Sequence, residues 1–169
     1  MSNQFWVEAK DGDPTAYAMY RRHYSAKKNK HPKIRLFVGP GEKMVLVGFM
    51  LPALFVWRKF IDDSGQTGVN CAVFRNESPE RSSDMICEAM AWAWERWPGQ
   101  RLYTTVDTTE IRSTNPRCCF LKAGWRRCGF TKKGLLILEY AVVAVALNAV
   151  LAECERGDGR GERTKGGAR

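Results

Sequence analysis

Short runs of apolar and β-branched residues, separated by turn signals, dominate the chain from residue 34 to residue 75. Four runs have this strand-like pattern: IRLFV (34–38), KMVLVGFM (43–50), ALFVWRKF (53–60) and GVNCAVFR (68–75). The breaks between them are Gly39-Pro40-Gly41, Leu51-Pro52 and Asp62-Asp63-Ser64-Gly65. Residues of these types favour tight turns, so the pattern predicts an antiparallel meander with short connections. Upstream of the meander, only PTAYAMYRRHY (14–24) has a helical pattern.

After residue 80 the apolar positions take up the spacing of an α-helix. One apolar stripe is formed by Ile86, Met90, Ala93 and Trp97. Ser82 or Ser83 is a candidate N-cap, and Asp84 falls in the first turn, where the helix dipole favours an anion. Pro98-Gly99 marks the end of the helix.

The rest of the chain predicts two more strands and a short helix. RLYTTVD (101–107) and GLLILEY (134–140) have strand patterns, and STNPRCCFLKAGW (113–125) has the pattern of a short helix. Because the long helix joins strand 68–75 to strand 101–107, those two strands are expected to be parallel. The order predicts a mixed α/β (α+β) fold with a mostly antiparallel central sheet and helices on both faces.

The chain divides into one domain and a C-terminal extension. The domain is predicted over residues 1–140, an apolar helix over 141–153 and a disordered tail over 154–169, which is rich in glycine and charge. Segment 135–152 is nearly long enough to span a bilayer, but Glu139 and Asn148 interrupt it. We therefore expect a buried strand followed by a helix, and no membrane partner.

Charge is unevenly distributed along the chain. The net charge is +9, and residues 21–35 and 111–138 each carry seven Lys or Arg and no Asp or Glu. The remaining positions hold 13 basic and 18 acidic residues. Two basic stretches on an otherwise acidic chain favour a polyanion-binding face, and two solvated loops are the alternative interpretation.

The cysteine pattern favours free thiols. The six cysteines form no CxxC pair, and Cys71 and Cys87 lie in apolar runs. This pattern predicts buried thiols in a reducing cytoplasm rather than a disulfide framework or a zinc site. The N-terminus also lacks an apolar signal segment.

Three places along the chain could carry chemistry. The junction VFRNESPERSSDM joins a strand to a helix N-terminus, where free amide groups and serine hydroxyls suit a pyrophosphate. Asp107 follows a strand at a sheet edge where ligands bind, as a general base or a metal ligand, or it only caps a turn. His23 and Tyr24 stand between cation pairs that would position phosphates, or they lie in an exposed loop.

The motifs resemble those of a known family. NPRCCFLKAGWRRCG resembles a segment of GNAT-superfamily acyltransferases, in which a short helix and the strand after it close over acyl-CoA. Together with HYS, VGPGEK, LFVWRKF, GVNCAVFRNES, SSDMI, WPGQRLYTTVD and GLLILE, it resembles the Mom family of phage DNA-modification proteins over residues 20–140. The usual GNAT pyrophosphate loop is absent, and Glu80-Arg81-Ser82-Ser83 stands in its place.

This resemblance implies a GNAT-like fold and an enzyme that adds a carbamoylmethyl (acetamido) group to adenine N6 in double-stranded DNA. The modification protects DNA from restriction enzymes in the host-cell cytoplasm. The family is linked to acetyl-CoA and to iron. By resemblance, the catalytic residues and iron ligands are His23, Tyr24 and Asp107. The cofactor-binding residues are Arg81, Ser82, Ser83 and Asn115. The DNA-binding residues are Arg21, Arg22, Lys27, Lys28, Lys30, Arg126, Arg127 and Lys132.

Alternatives remain open at this point. The chain could be an ordinary GNAT acyltransferase acting on a protein or small-molecule amine, or a non-catalytic DNA-binding relative. Trp57, Phe120 and Trp125 could stack on a flipped base or pack in the core. The pattern leaves the donor and the oligomeric state undecided, with a homodimer as one option. Attack on a thioester carbonyl cannot itself join N6 to a methylene carbon.

Overall fold

The computed structural model describes residues 4–26, 35–61, 65–109 and 118–141. Over these residues the chain forms a seven-stranded sheet in the order β1-β2-β3-β4-β5-β7-β6. The strands are β1 (Trp6–Ala9), β2 (Glu42–Gly48), β3 (Ala53–Lys59), β4 (Val69–Asn76), β5 (Leu102–Val106), β6 (Arg126–Phe130) and β7 (Leu136–Tyr140). The helices are α1 (Pro14–Arg21), α2 (Ser82–Arg96) and α3 (Cys118–Lys122). This is the mixed, mostly antiparallel fold that the sequence predicts.

The meander and the crossover are confirmed. Strands β2, β3 and β4 pair antiparallel in sequence order, and α2 carries the chain from β4 to β5. β4 and β5 pair parallel, and every other pair of neighbouring strands is antiparallel. Five consecutive residues of β3, beginning at Ala53, are buried, because helices cover both faces of the sheet there.

Two hydrophobic clusters lie on opposite faces of the sheet. The larger cluster packs α2 and α3 against residues such as Phe55, Trp57 and Leu102. The smaller cluster packs Ala16, Met19 and Tyr20 of α1 against the other face. The two clusters use alternate residues of β3, as the two-residue period of a strand requires.

The parallel strands β4 and β5 separate soon after they begin to pair. Their register runs from Val69 opposite Leu102 to Asn70 opposite Tyr103 and then stops. On its other side, β4 carries a bulge, because Trp57 pairs with Cys71 whereas the preceding Val56 pairs with Val73. Ala72 is the extra residue, and it lies where β4 turns away from β5. Bulges bend strands in this way and occur often beside active sites.

Two sequence-based expectations about strands and helix caps are wrong. The run IRLFV forms no strand over its described residues. Its Phe37 and Val38 amides bond to the Asp11 carboxylate, since β2 already has strands on both sides. Neither Ser82 nor Ser83 is the N-cap of α2, which is Arg81, and no side chain bonds to the free amides there.

The periodicity of the sequence predicts neither of the two strands β1 and β6. β1 has no counterpart in the periodicity of the sequence. β6 was expected only through the acyltransferase-like segment, as the strand after the short helix. The apolar helix at 141–153 and the tail at 154–169 lie beyond the described residues, apart from Ala141, which is not helical. No helix of the described chain is long and apolar enough to span a membrane.

Candidate active site

Helix α1 delivers His23 to the end of β4. Asp13 caps the helix by accepting from the Thr15 and Ala16 amides at 2.9 Å each, and Pro14 occupies its first turn. At the other end, the His23 amide donates to the Tyr20 carbonyl at 2.8 Å, which turns the chain out of the helix. The next residues therefore form a compact turn rather than a continuation of the helix that the sequence predicts to residue 24.

An ion-pair cluster holds this turn against β4. Glu77 accepts from Arg22 at 2.8 Å and also from Arg75. Arg75 in turn donates to the Arg22 carbonyl at 2.6 Å. The hydrogen bonds from Arg22 and then Arg75 lower the pKa of Glu77 to about 2. Neither Arg75 nor Glu77 was singled out from the sequence, because nothing in the spacing of residues 22 and 77 shows that they meet.

The contacts of His23 define its tautomer. The Ser25 backbone N–H lies 3.2 Å from Nδ1 of His23, and the Ser25 hydroxyl lies 2.8 Å from the same atom. A backbone N–H can only donate, so Nδ1 carries the lone pair and the ring proton is on Nε2. Ser25 was quoted from the sequence only as part of the HYS motif, with no role assigned to it.

The imidazole of His23 is held neutral. Burial lowers its pKa to about 4, and the charge of Arg75 adds to this effect, while the Phe74 carbonyl opposes it. The ring lies 4.4 Å from that of Tyr24, centroid to centroid, at an angle of 35°. At neutral pH the pair therefore presents an uncharged imidazole beside a phenol.

Two adjoining cavities occupy the gap between β4 and β5. The inner cavity has a volume of about 150 Å³. Its lining includes His23, Tyr24, Ala72, Thr105, Cys119 and Phe120. The outer cavity has a volume of about 370 Å³. It is lined by Tyr24, Ser25, Ala72, Thr105, Asp107 and Leu135. Tyr24, Ala72 and Thr105 line both, so the three catalytic residues implied by the resemblance are brought to one place.

Asp107 follows β5 directly and has two roles in this structure. Its Oδ1 accepts from the Thr109 amide at 3.0 Å and from the Thr109 hydroxyl at 2.6 Å. This is the turn-capping arrangement that the sequence left as an alternative. The same side chain also lines the outer cavity. Thr105 precedes it on the same side of β5, as the two-residue strand period requires.

Only some of the ligand atoms that an iron ion would need are available. Imidazole, phenol and carboxylate are suitable ligand types. However, the one lone pair of His23 faces Ser25, and Oδ1 of Asp107 is occupied by Thr109. Among the described residues no group of three or more His, Cys, Asp or Glu is arranged to hold a metal ion. The residues as arranged do not fit an iron centre, and no step is derived through one.

The residues assigned to acyl-CoA lie at the start of α2. Ser82 Oγ accepts from Asn76 Nδ2 at 3.1 Å, which ties the end of β4 to the helix. The buried Ser83 donates from its hydroxyl to the Asp84 carboxylate at 3.4 Å. Arg81 is exposed at the N-cap. A phosphate could thus meet Arg81 and uncapped amide groups, whereas Asn115 lies outside the described residues.

The cations assigned to DNA differ in their partners. Arg22 pairs with Glu77, and Arg126 pairs with the buried Glu139 at 2.8 Å. Glu139 also binds Arg101 at 2.6 Å. Arg127 and Lys132 are exposed and have no ion pair within the described residues, and Arg21 is exposed at the end of α1. Lys27, Lys28 and Lys30 lie outside the described residues.

The aromatic residues considered for base stacking are core residues. Trp57 is fully buried and donates to the Ala89 carbonyl at 2.9 Å, and Trp125 stacks parallel to it at 6.3 Å. Phe120 is also buried, although its edge reaches the inner cavity. The cysteines are more varied than expected: Cys71 is buried, but Cys87 and Cys128 are exposed, and all three are free thiols.

Comparison with known proteins adds nothing to this description. No protein-family model matches the chain, and neither a curated protein nor a solved structure resembles it significantly.

Proposed function

We propose that this protein is a DNA-modifying transferase that adds a carbamoylmethyl group to N6 of adenine in double-stranded DNA. The observation that carries the proposal is the pair of adjoining cavities in the gap between β4 and β5. His23 lines the inner cavity, Asp107 lines the outer one and Tyr24 lines both, and these are the residues implied by the Mom-family resemblance. The gap lies at the ends of diverging parallel strands, where ligands bind in α/β sheets. We assign the chain to the GNAT-like fold on the same grounds.

The size and character of the cavity suit an extruded base. The outer cavity, at about 370 Å³, falls within the roughly 300–1,000 Å³ of small-ligand pockets. Tyr24, which is 43% exposed, lines this cavity with its flat ring and polar hydroxyl, and the neutral imidazole that packs on it lines the inner cavity. Enzymes that act on bases in a duplex flip the target base out of the stack, so a pocket of this kind is required.

Each polar group has a distinct chemical role in this proposal. The exocyclic amine of adenine is a weak nucleophile. In the proposed transfer its nitrogen attacks the methylene carbon of an activated carbamoylmethyl donor, the bond from that carbon to the donor's leaving group breaks, and the nitrogen loses a proton. The Asp107 carboxylate is the group suited to accept that proton. Because the lone pair of His23 Nδ1 is held by Ser25, the ring proton is on Nε2, where the Phe74 carbonyl accepts it. In the reaction this N–H would turn from Phe74 to stabilise negative charge that develops on the leaving group. The Tyr24 phenol would orient the base.

One observation favours a second candidate, an acyltransferase acting on a protein or small-molecule amine. Arg22 and Arg126, two of the cations assigned to DNA, are already paired with carboxylates. A less cationic rim is easier to reconcile with an amine substrate, which has no phosphate backbone, than with a duplex. The exposed Arg21, Arg127 and Lys132 favour the DNA substrate.

One experiment separates these candidates. The protein is expressed in bacteria, and the cellular DNA is digested to nucleosides and analysed by mass spectrometry. The proposal predicts an adenosine that is heavier by a carbamoylmethyl group. Purified protein is also incubated with acetyl-CoA and an amine-bearing peptide. Acetylated peptide together with unmodified DNA would support the second candidate and contradict the first.

A further inference from the structure

An exposed apolar tip projects from the turn between β2 and β3. Phe49 is 57% exposed and Met50 is 90% exposed, although both are large apolar residues. Single exposed apolar side chains are common on protein surfaces. Two adjacent exposed apolar side chains in the turn between two strands are less common. At the far end of β3, for comparison, Phe60 is covered by the Arg58 guanidinium at 4.5 Å.

The local backbone does not account for these residues. Met50 has φ of +54°, a region that favours glycine, and among the described residues it is the one non-glycine with positive φ. The turn is tight, since a Cβ at Gly48 would collide with the Leu51 carbonyl. Leu51 packs on the larger hydrophobic cluster, and the Phe49 amide donates to the Phe5 carbonyl at 2.7 Å. A firmly held turn thus presents Phe49 and Met50 outward.

The tip lies at the same edge of the sheet as the candidate active site. The Pro52 carbonyl accepts from the Glu77 amide at 2.9 Å. The Glu77 carboxylate binds Arg22 and Arg75, and Arg22 is followed directly by His23. One backbone hydrogen bond and one ion-pair cluster therefore connect the tip to the rim of the cavity.

We propose that Phe49 and Met50 form a wedge that inserts between base steps of duplex DNA and opens the stack beside the cavity. This inference rests on the proposed function and names how its substrate is opened. Apolar wedges of Phe and Met are used by proteins that unstack and kink duplexes. Arg21 at the end of α1 and Arg81 at the start of α2 are exposed at this edge, whereas Arg22 and Arg75 are paired with Glu77. The two exposed arginines would hold phosphates on either side of the opened step.

The test uses the full-length protein and a duplex that contains 2-aminopurine, an adenine analogue whose fluorescence rises on unstacking. No donor is added, so the signal does not depend on chemistry. Wild-type protein is expected to raise the fluorescence at least threefold. The double variant Phe49→Ser/Met50→Gly is expected to remove most of the rise while weakening binding, measured by anisotropy, by less than tenfold. Met50→Gly relieves the positive φ, so the variant should remain folded.

Ile61→Ser is the matched control, because Ile61 is 68% exposed and lies just beyond the end of β3 that is opposite the tip. It should behave like the wild type. An unchanged fluorescence rise in the double variant, or no rise in wild type, would overturn the wedge. Binding to anionic lipid vesicles that depends on Phe49 and Met50, without unstacking of DNA, would overturn it in favour of a membrane surface. Unstacking by a protein that modifies no DNA would support the wedge and reject the proposed function.

Discussion

The backbone N–H of Ser25 points at Nδ1 of His23 from 3.2 Å, and the Ser25 hydroxyl lies 2.8 Å from the same nitrogen. This contact places the ring proton of His23 on Nε2. It also occupies the basic nitrogen of the ring with a hydrogen bond. His23 in this arrangement donates a hydrogen bond, and Asp107 is the group in the same cavity system that can accept a proton.

The titration of His23 follows from its surroundings. Burial and the charge of Arg75 lower its pKa to about 4, so NMR should show titration near pH 4 rather than near the ordinary 6.5. The nitrogen shifts at neutral pH should be those of the Nε2–H tautomer. A His31→Gln variant identifies the signal, because the chain contains two histidines. A midpoint near 6.5 would contradict the assigned environment.

Glu77 should make the folded protein sensitive to acid in a defined range. Its pKa falls from 4.5 to about 2 in the folded protein, so its carboxylate stabilises the fold above pH 4.5. That contribution disappears as the pH falls from 4.5 to 2. Urea unfolding at a series of pH values should show the loss in wild type and a shallower loss in Glu77→Gln. Equal slopes in this range would indicate that the ion-pair cluster contributes nothing.

Tyr24 should matter to the reaction and little to stability. Tyr24→Phe removes a phenol that is 43% exposed, so the melting temperature should change by less than about 2 °C. Modification of DNA should fall by about 100-fold if the phenol orients the base. Tyr140→Phe is the matched control, since Tyr140 packs on Trp94 and lines neither cavity. Full activity of Tyr24→Phe would remove the phenol from the mechanism.

The partners of the cations predict which of them contact DNA. Arg127→Gln or Lys132→Gln should weaken binding and reduce the slope of log K against log salt by about 0.9 each, as loss of a phosphate contact requires. Arg126→Gln should have a smaller effect, because Glu139 already binds Arg126. DNA-binding titrations of each variant at several salt concentrations measure the affinity and this slope. If Arg126→Gln weakened DNA binding more than Arg127→Gln does, the assignment of Arg127 to a phosphate contact would be wrong.

Much of the fold follows from local patterns. The meander, the long helix and the parallel pair were predictable because each depends on short-range periodicity and one topological rule. β1 was not, since four residues with two exposed positions carry little signal. The run at 34–38 has strand-forming residues, but β2, the next strand along the chain, already pairs with β1 on one side and β3 on the other. Pairing partners depend on the whole sheet and cannot be derived from the run itself.

The candidate site also combines residues that the sequence predicts with contacts that it does not. His23, Tyr24 and Asp107 could be chosen from the sequence because of their residue types and the Mom-family motifs. The role of Ser25 in setting the tautomer could not, nor could the cluster of Arg22, Arg75 and Glu77. Those contacts join a helix end, a strand end and a loop, which only the folded chain brings together.

Asp107→Asn gives the most direct test of the central claim that the gap between β4 and β5 carries out DNA modification. Asparagine keeps an oxygen that can accept from Thr109, so the turn should survive while the base is lost. DNA from cells expressing wild type or Asp107→Asn is digested and its nucleosides are quantified by mass spectrometry, with DNA binding measured in parallel. The account predicts carbamoylmethyl adenine in wild type and at least a 100-fold reduction in the variant, with binding unchanged. Equal amounts of modified adenine from both proteins would contradict it.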